Sequence, residues 1–353
     1  MIFFYLTLEI STHRGYIGSM NGKTKTFNIL ALSGGGFRGL YTATVLTALE
    51  KEAGKPIAQC FDLICGTSIG GMIALALGLE KPAKKIAATI EKRGPEIFPN
   101  SKKRWIRRIP KIHRCLRAKY SNIPLNWAAN ELYGDSAMRH SRHRLIIPTV
   151  NYSTGKPQFF KTPHHRSFRT DHNRKMSDVA LATSAAPIFF PVYQSKEMNS
   201  CYVDGGLVGN APGMFGVHEA MRFCGQDIAN INLLSIGTMG GEFRMDSSKT
   251  LNKGVFRWGK NIFLLTISSQ EKVTDFMLRH QLGERYSLID ELPTHEQLPN
   301  IGLDIADKSA IQTLKSMGEE SVKAFVGKPE ANVFLSHSAP SYQSCYLKEV
   351  QQP

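Results

Sequence analysis

Phe61-Asp62-Leu63-Ile64-Cys65-Gly66-Thr67-Ser68-Ile69-Gly70-Gly71 sets the frame for the whole 353-residue chain. The first part is an apolar run of strand length. The second is a Gly-Thr-Ser-Ile-Gly turn that opens into an apolar stretch ending near Leu79. The pattern predicts a strand, a sharp turn and a helix beginning at or just after Ser68. Small residues on both sides permit a strained turn that lifts one hydroxyl clear of the backbone, and the helix N-terminus supplies free N–H groups. A G-x-S-x-G match alone is weak, with on the order of 0.1 expected by chance at ordinary glycine usage. Its setting between a strand and a helix makes it informative.

Outward from that turn the chain alternates. Phe27–Leu32 reads as a buried strand, followed by Ser33-Gly34-Gly35-Gly36-Phe37-Arg38-Gly39 and a helix from Leu40 to Glu50 with Leu40, Val45, Leu46 and Leu49 on one face. A second helix is expected from Pro82 to about Lys92, stopping before Gly94-Pro95. Leu125–Leu132 suits a helix, and Arg144–Val150 a strand that Pro148 should end early. Gln158-Phe159-Phe160 looks like a short antiparallel addition. Met176–Ser184 reads as a helix, Ile188–Val192 as an apolar loop between two prolines, and Cys201-Tyr202-Val203 as a short strand entering Asp204-Gly205-Gly206. A helix over Pro212–Phe223 and a buried strand over Ile231–Ile236 follow. Alternation of this kind predicts an α/β fold with a mostly parallel central sheet and helices on both faces. The C-terminal third reads as helical over roughly 255–280 and 305–326, with a short strand near 286–290. Residues 1–19 are expected to be an extension outside the fold, 20–335 one domain with its helical portion over 250–330, and the polar, aperiodic stretch 336–353 a mobile tail.

A formal charge of +15 and a pI near 9.5 imply a polyanionic partner, either nucleotide or nucleic acid, or an anionic membrane surface. The charge is concentrated. Between Glu96 and Glu131 there is no acidic residue, and Arg104, Arg107, Arg108 and Lys111 would share one helical face, opposite Trp105, Ile109, Ile112 and Leu116. Pro110 would break that helix. The stretch reads either as a solvated basic face over an apolar stripe or as a docking surface for lipid or nucleotide phosphate. A second basic loop runs from Lys161 to Lys175 and holds His164-His165, expected to be surface histidines rather than metal ligands. Six cysteines without C-x-x-C spacing read as reduced thiols of a cytoplasmic protein. No run approaches the ~18 apolar residues that a transmembrane helix needs.

A serine hydroxyl becomes a useful nucleophile only when a base takes its proton and donors stabilise the oxyanion. Three glycines between a strand and a helix can turn N–H groups onto one anionic oxygen. A P-loop would need Lys-Ser/Thr after them, where this chain has Phe37-Arg38-Gly39. The spacing Gly34-x-Gly36-x-x-Gly39 does fit a dinucleotide fingerprint, yet the next strand runs into the serine turn instead of ending on an acidic residue. No histidine stands where a catalytic triad would put one. Asp204, flanked by Gly205-Gly206 after a strand, reads either as a catalytic carboxylate or as a simple turn.

Gly34–Gly39, Gly66-Thr67-Ser68-Ile69-Gly70 and Asp204-Gly205-Gly206 together resemble the three signature blocks of the patatin-like phospholipases. Thr183–Pro191 is similar to the segment that precedes the Asp block in that family. The resemblance runs in order over about residues 27–240. It implies an α/β/α sandwich and metal-free acyl-ester hydrolysis of membrane phospholipids, with no catalytic cofactor. Ser68 would be the nucleophile and Asp204 the base. Gly34, Gly35, Gly36, Arg38 and Gly39 would form the oxyanion loop, with Arg38 anchoring it, and Gly66, Gly70, Gly205 and Gly206 would support the turns. Leu40-Tyr41 and Leu145–Asn151 resemble a narrower group, the patatin effectors of bacterial anti-phage signalling, which cyclic dinucleotides such as cyclic GMP–AMP activate. That implies a cyclic dinucleotide as allosteric activator and a cytoplasmic enzyme acting at the inner membrane surface. Arg139, Arg142, Arg144, Arg166 and Arg169 are the candidates for the nucleotide phosphates. Arg104, Trp105, Arg107, Arg108 and Lys111 are those for the membrane. The sequence permits a homo-oligomer. One alternative is a constitutive patatin-like lipase whose basic surface only docks anionic membranes; another is a non-enzymatic binding protein for an anionic ligand or nucleic acid, with vestigial motifs, which the intact motif residues argue against.

Overall fold

Strands β1 (Phe27–Leu32) and β2 (Leu63–Gly66) lie side by side and parallel, with Leu32 opposite Gly66, so the glycine loop and the serine turn leave the sheet at the same end. The computed structural model describes residues 26–99, 117–240, 258–294, 296–342 and 344–346. Every residue of β1 and β2 is buried, which is why both read as continuous apolar runs rather than alternating ones. β3 (Arg144–Asn151) joins β2 in parallel, and on the other side of β1 come β7 (Ile231–Ile236) and β8 (Tyr286–Ile289), also parallel. Three antiparallel strands complete the sheet beyond β2: β4 (Lys156–Lys161), β5 (Tyr193–Ser195) and β6 (Ser200–Asp204). The strand order is β5-β6-β3-β2-β1-β7-β8, with β4 paired to β3.

Helices cover both faces. α1 (Gly39–Ala53), α2 (Ile69–Gly78), α3 (Ala83–Ile97), α4 (Ile123–Tyr133), α5 (Met176–Thr183), α8 (Lys308–Val326) and α9 (Pro329–Leu335) pack a large core against one face. α6 (Gly213–Phe223) and α7 (Lys260–Leu282) close the smaller core on the other. β1 divides its side chains between the two, Leu30 and Leu32 to the first and Phe27, Ile29 and Ala31 to the second. The result is the three-layer α/β/α sandwich expected from the alternation. Among the described residues, no helix is long and apolar enough to cross a membrane.

Four expectations need correcting. α3 runs to Ile97, through Gly94-Pro95. Gly94 is there for packing, since a Cβ would stand 2.0 Å from Phe37 Cε2, and Pro95 falls in the last turn, where little is lost. β3 continues through Pro148 to Asn151. Its edge partner changes there, from β2 up to Ile146 to β6 from Thr149, and the Pro148 carbonyl takes a hydrogen bond from the Thr183 hydroxyl (2.6 Å) instead of from a strand. His164 is not on the surface: its side chain is buried, with Nε2 at 3.0 Å from a carboxylate oxygen of buried Glu219, whose other oxygen takes the Lys161 ammonium at 2.6 Å. Finally, the described residues after Leu335, 336–342 and 344–346, pack on the domain. His337 Nε2 lies 2.8 Å from Asp62 Oδ2, Ala339 donates to the Gln59 carbonyl, Cys345 donates to the Pro163 carbonyl, and Tyr346 stacks on His172. Residues 1–19, and Arg104 to Lys111 of the basic stretch, lie outside the described residues.

Candidate active site

Ser68 stands between β2 and α2 with φ 54 and ψ −125, a conformation that a non-glycine residue adopts only where the surroundings enforce it. Three fixings do so. Thr67 donates its N–H to the Leu32 carbonyl and its hydroxyl to the Gly209 carbonyl (2.8 Å), and Ser68 donates its N–H to Thr183 Oγ1 (3.1 Å). The turn thrusts the Ser68 hydroxyl at Asp204, where Oγ–H donates to Oδ2 at 2.8 Å.

Asp204 ends β6, and its other oxygen, Oδ1, accepts the Gly206 N–H at 2.7 Å. Its own N–H goes to the Ala185 carbonyl and that of Gly205 to the Thr183 carbonyl, so the Asp block and the end of α5 are tied together. The carboxyl is only 2% exposed. Burial pushes its pKa up to about 6, against the pull of the Gly206 N–H and the Ser68 hydroxyl. A carboxylate so placed is a better base than one in water, and it remains ionised at neutral pH.

The glycine loop leaves β1 beside this pair. Gly34 is gripped at both ends: its N–H donates to the Asn210 carbonyl (3.1 Å), and its carbonyl accepts from Asn210 Nδ2 and from Thr238 Oγ1, both at 3.0 Å. Phe37 donates to the Leu303 carbonyl and Arg38 to that of Gly35. Among the described residues, the N–H groups of Gly35 and Gly36 have no protein acceptor, which leaves them available to an oxyanion. Two loop residues take other roles. Gly39 is already the first residue of α1, where a Cβ would meet Ile69 Cγ1 at 2.2 Å, so it sets the spacing of α1 from the serine turn. The Arg38 guanidinium turns inward to the Met239 carbonyl (3.4 Å), in the field of Glu271 and Asp290. That contact ties the loop to the segment that follows β7.

Ser68, Asp204 and the glycine loop open into an apolar cavity of about 320 Å³. Met72, Ile73, Ile86, Ile90, Ile97, Leu125, Leu132, Phe189, Phe190, Phe263 and Ile267 line it, from α2, α3, α4, the 184–190 segment and α7. Such walls suit a fatty-acyl chain, with the ester carbonyl at the polar end. The buried Ser184 hydroxyl lines the same cavity and has no partner among the described residues.

Residues 30–214, more than half of the chain, match the patatin-like phospholipase family. The chain belongs to that family. A cGAMP-activated phospholipase of Pseudomonas aeruginosa is 44% identical over 89% of this chain and 93% of its own length. Proteins of the same name from Vibrio cholerae and Escherichia coli are 35% and 33% identical, over 83% and 88% of this chain and 89% and 94% of theirs. As a patatin-like phospholipase the chain is a lipid acyl hydrolase.

The five arginines chosen for a nucleotide lie on the 139–144 stretch that leads into β3 and on the loop after β4. Arg142 pairs with Glu80 at 2.6 Å. Arg144 bonds the Asp62 carbonyl at 3.2 Å and lies 5.8 Å from the Tyr342 ring centroid, a structural position. Arg139 is bonded to Asn173, while Arg166 and Arg169 are exposed together on the loop after β4. Two residues at the site, Asn210 and Glu271, escaped the sequence reading, and Thr183 entered it only as part of the segment before the Asp block. Asn210 could have been noticed, six residues after Asp204 in the same block; Glu271 could not.

Proposed function

We propose that this chain is a serine hydrolase that cleaves fatty-acyl esters of membrane phospholipids through a Ser68–Asp204 dyad and is switched on by a cyclic dinucleotide. The observation that carries it is the 2.8 Å hydrogen bond from Ser68 Oγ to Asp204 Oδ2 at the polar end of an acyl-sized cavity. Ser68 Oγ attacks the ester carbonyl carbon as its proton passes to Asp204. The new oxyanion is held by the Gly35 and Gly36 N–H groups, one such donor being worth about 3 kcal/mol. Collapse breaks the ester C–O bond, and Asp204 returns the proton to the leaving alcohol oxygen. Water then attacks the acyl-enzyme, Asp204 takes its proton, and fatty acid leaves as Ser68 regains its hydrogen.

Activation is supported by the three relatives, each named as cGAMP-activated, and by the chain's charge of +15. The same charge suits docking on an anionic bilayer, and in this reading the enzyme works in the cytoplasm and degrades the inner membrane in anti-phage defence. The test is fatty-acid release from phospholipid vesicles by wild type, Ser68→Ala and Asp204→Ala, with and without a panel of cyclic dinucleotides. Hydrolysis by wild type alone, and only with nucleotide, is the expected result. Residual turnover near wild type in either variant would sink the dyad. Wild-type hydrolysis that ignores every nucleotide would make this a constitutive lipase.

A further inference from the structure

Beside the glycine loop, and lining the same cavity, lies a polar cluster that the dyad does not use. Asn210 is at its centre. One hydrogen of its carboxamide goes to the Gly34 carbonyl (3.0 Å) and the other to Glu271 Oε1 (2.6 Å). Its Oδ1 is wedged between both halves of the catalytic apparatus: a Cβ on Gly34 would come within 2.3 Å of it, and one on Gly206 within 3.0 Å. Glu271 comes from α7, the helix that also contributes Phe263, Leu264 and Ile267 to the acyl cavity. The neighbouring Gln270 bonds the Leu207 carbonyl through Nε2 (3.0 Å) and takes the Asn210 N–H on Oε1 (3.4 Å). On the far side of the loop, the Met239 carbonyl accepts from Arg38 and the Met239 N–H donates to Asp290 Oδ1 at 2.8 Å, with Met239 itself held at φ 57.

We propose that Glu271 is a positioning residue for the oxyanion loop, acting through the Asn210 carboxamide. A carboxylate oxygen at 2.6 Å fixes one side of that amide, so the opposite N–H is presented squarely to the Gly34 carbonyl. Gly34 precedes Gly35 and Gly36, so its seating sets where their N–H groups point relative to Ser68. The second Glu271 oxygen faces the Arg38 side of the loop: a Cβ on Gly240 would lie 3.4 Å from Oε2 and 3.7 Å from Arg38 Nη2. Burial raises the pKa of Glu271, while Arg38 first and then Asn210 hold it down. Because the same helix walls the acyl cavity, a chain bound against Phe263 and Ile267 steadies the element that aligns the oxyanion donors.

The inference rests on the hydrolase reading, and the experiment separates the two. The full chain is assayed on p-nitrophenyl butyrate with cyclic GMP–AMP added; turnover by wild type and none by Ser68→Ala shows the serine chemistry first. Glu271→Ala is then expected to lower kcat by about 100-fold with KM unchanged to within about twofold. Glu271→Gln should recover most of that loss, because its carboxamide oxygen accepts from the same Asn210 N–H. Asn210→Ala combined with Glu271→Ala should be no slower than Asn210→Ala alone. A kcat close to wild type in Glu271→Ala, losses that multiply in the double variant, or a Gln variant no better than Ala would each overturn the proposal. If Glu271→Ala does not fold, Glu271→Asp keeps the charge near Arg38 but withdraws the oxygen by one methylene. Its expected kcat loss is the same, and wild-type turnover there overturns the proposal equally.

Discussion

Asp204 is held in a place where an ionised carboxyl is disfavoured. Its pKa is about 6 in the fold and near 3.8 in the unfolded chain, so the folded state carries an electrostatic cost above pH 6 that is absent below pH 4. Asp204→Asn should therefore unfold at a higher temperature than wild type at pH 8, by an amount on the order of 1–3 kcal/mol, and show no advantage at pH 4. Asn keeps an oxygen for the Gly206 N–H and offers its amide to Ser68, so packing is preserved. Thermal unfolding at the two pH values measures it, and equal stability at pH 8 would show the carboxyl to be unstrained. The same pKa makes a kinetic prediction. In the proposed dyad Asp204 must be ionised to act as base, so kcat/KM on a neutral soluble ester should fall about tenfold per pH unit below pH 6. A limb near pH 4 instead would mean that the carboxyl is solvated when substrate binds.

At the level of elements, the strand-turn-helix units were legible because backbone geometry demands particular residues at their joints. Ser68 needs small neighbours, and Gly70 in the first turn of α2 lies so close to β1 that a Cβ would stand 2.3 Å from the Leu32 carbonyl oxygen. That oxygen belongs to a strand hydrogen-bonded on both sides, so it has nowhere to move. Gly70→Ala should destabilise the fold by about 1–3 kcal/mol and cut turnover by tilting α2 away from the serine turn; a denaturant midpoint equal to wild type would show that the helix can shift freely. The parts that were not legible are those that meet only in three dimensions. Thr183, 115 residues from Ser68, holds its N–H, and Glu271 reaches Asn210 across 61 residues from a helix whose sequence shows only ordinary amphipathic spacing. His164 misled for the same reason: its buried partner, Glu219, is 55 residues away on α6.

Across the whole molecule, residues 336–342 and 344–346 act as a strap. It leaves α9, crosses the start of β2 where His337 meets buried Asp62, and reaches the loop after β4, where Tyr346 donates to the Arg166 carbonyl at 2.8 Å. Asp62 is the residue that opens the serine strand, and its Oδ2 also takes the Asn28 N–H at 2.8 Å, so the contact joins the entries of β1 and β2. Polar composition hid this, because hydrogen bonds and one aromatic stack leave no apolar period to read. Removing residues 336–353 should strip a partner from Asp62 and lower stability by about 1–3 kcal/mol, with His337→Ala alone giving part of that loss. Chemical denaturation of both variants beside the full chain decides it. Identical midpoints for all three would mean that the segment merely rests on the surface; a loss confined to the truncation would place the strap's hold at Ala339 and Cys345 rather than at the Asp62 contact.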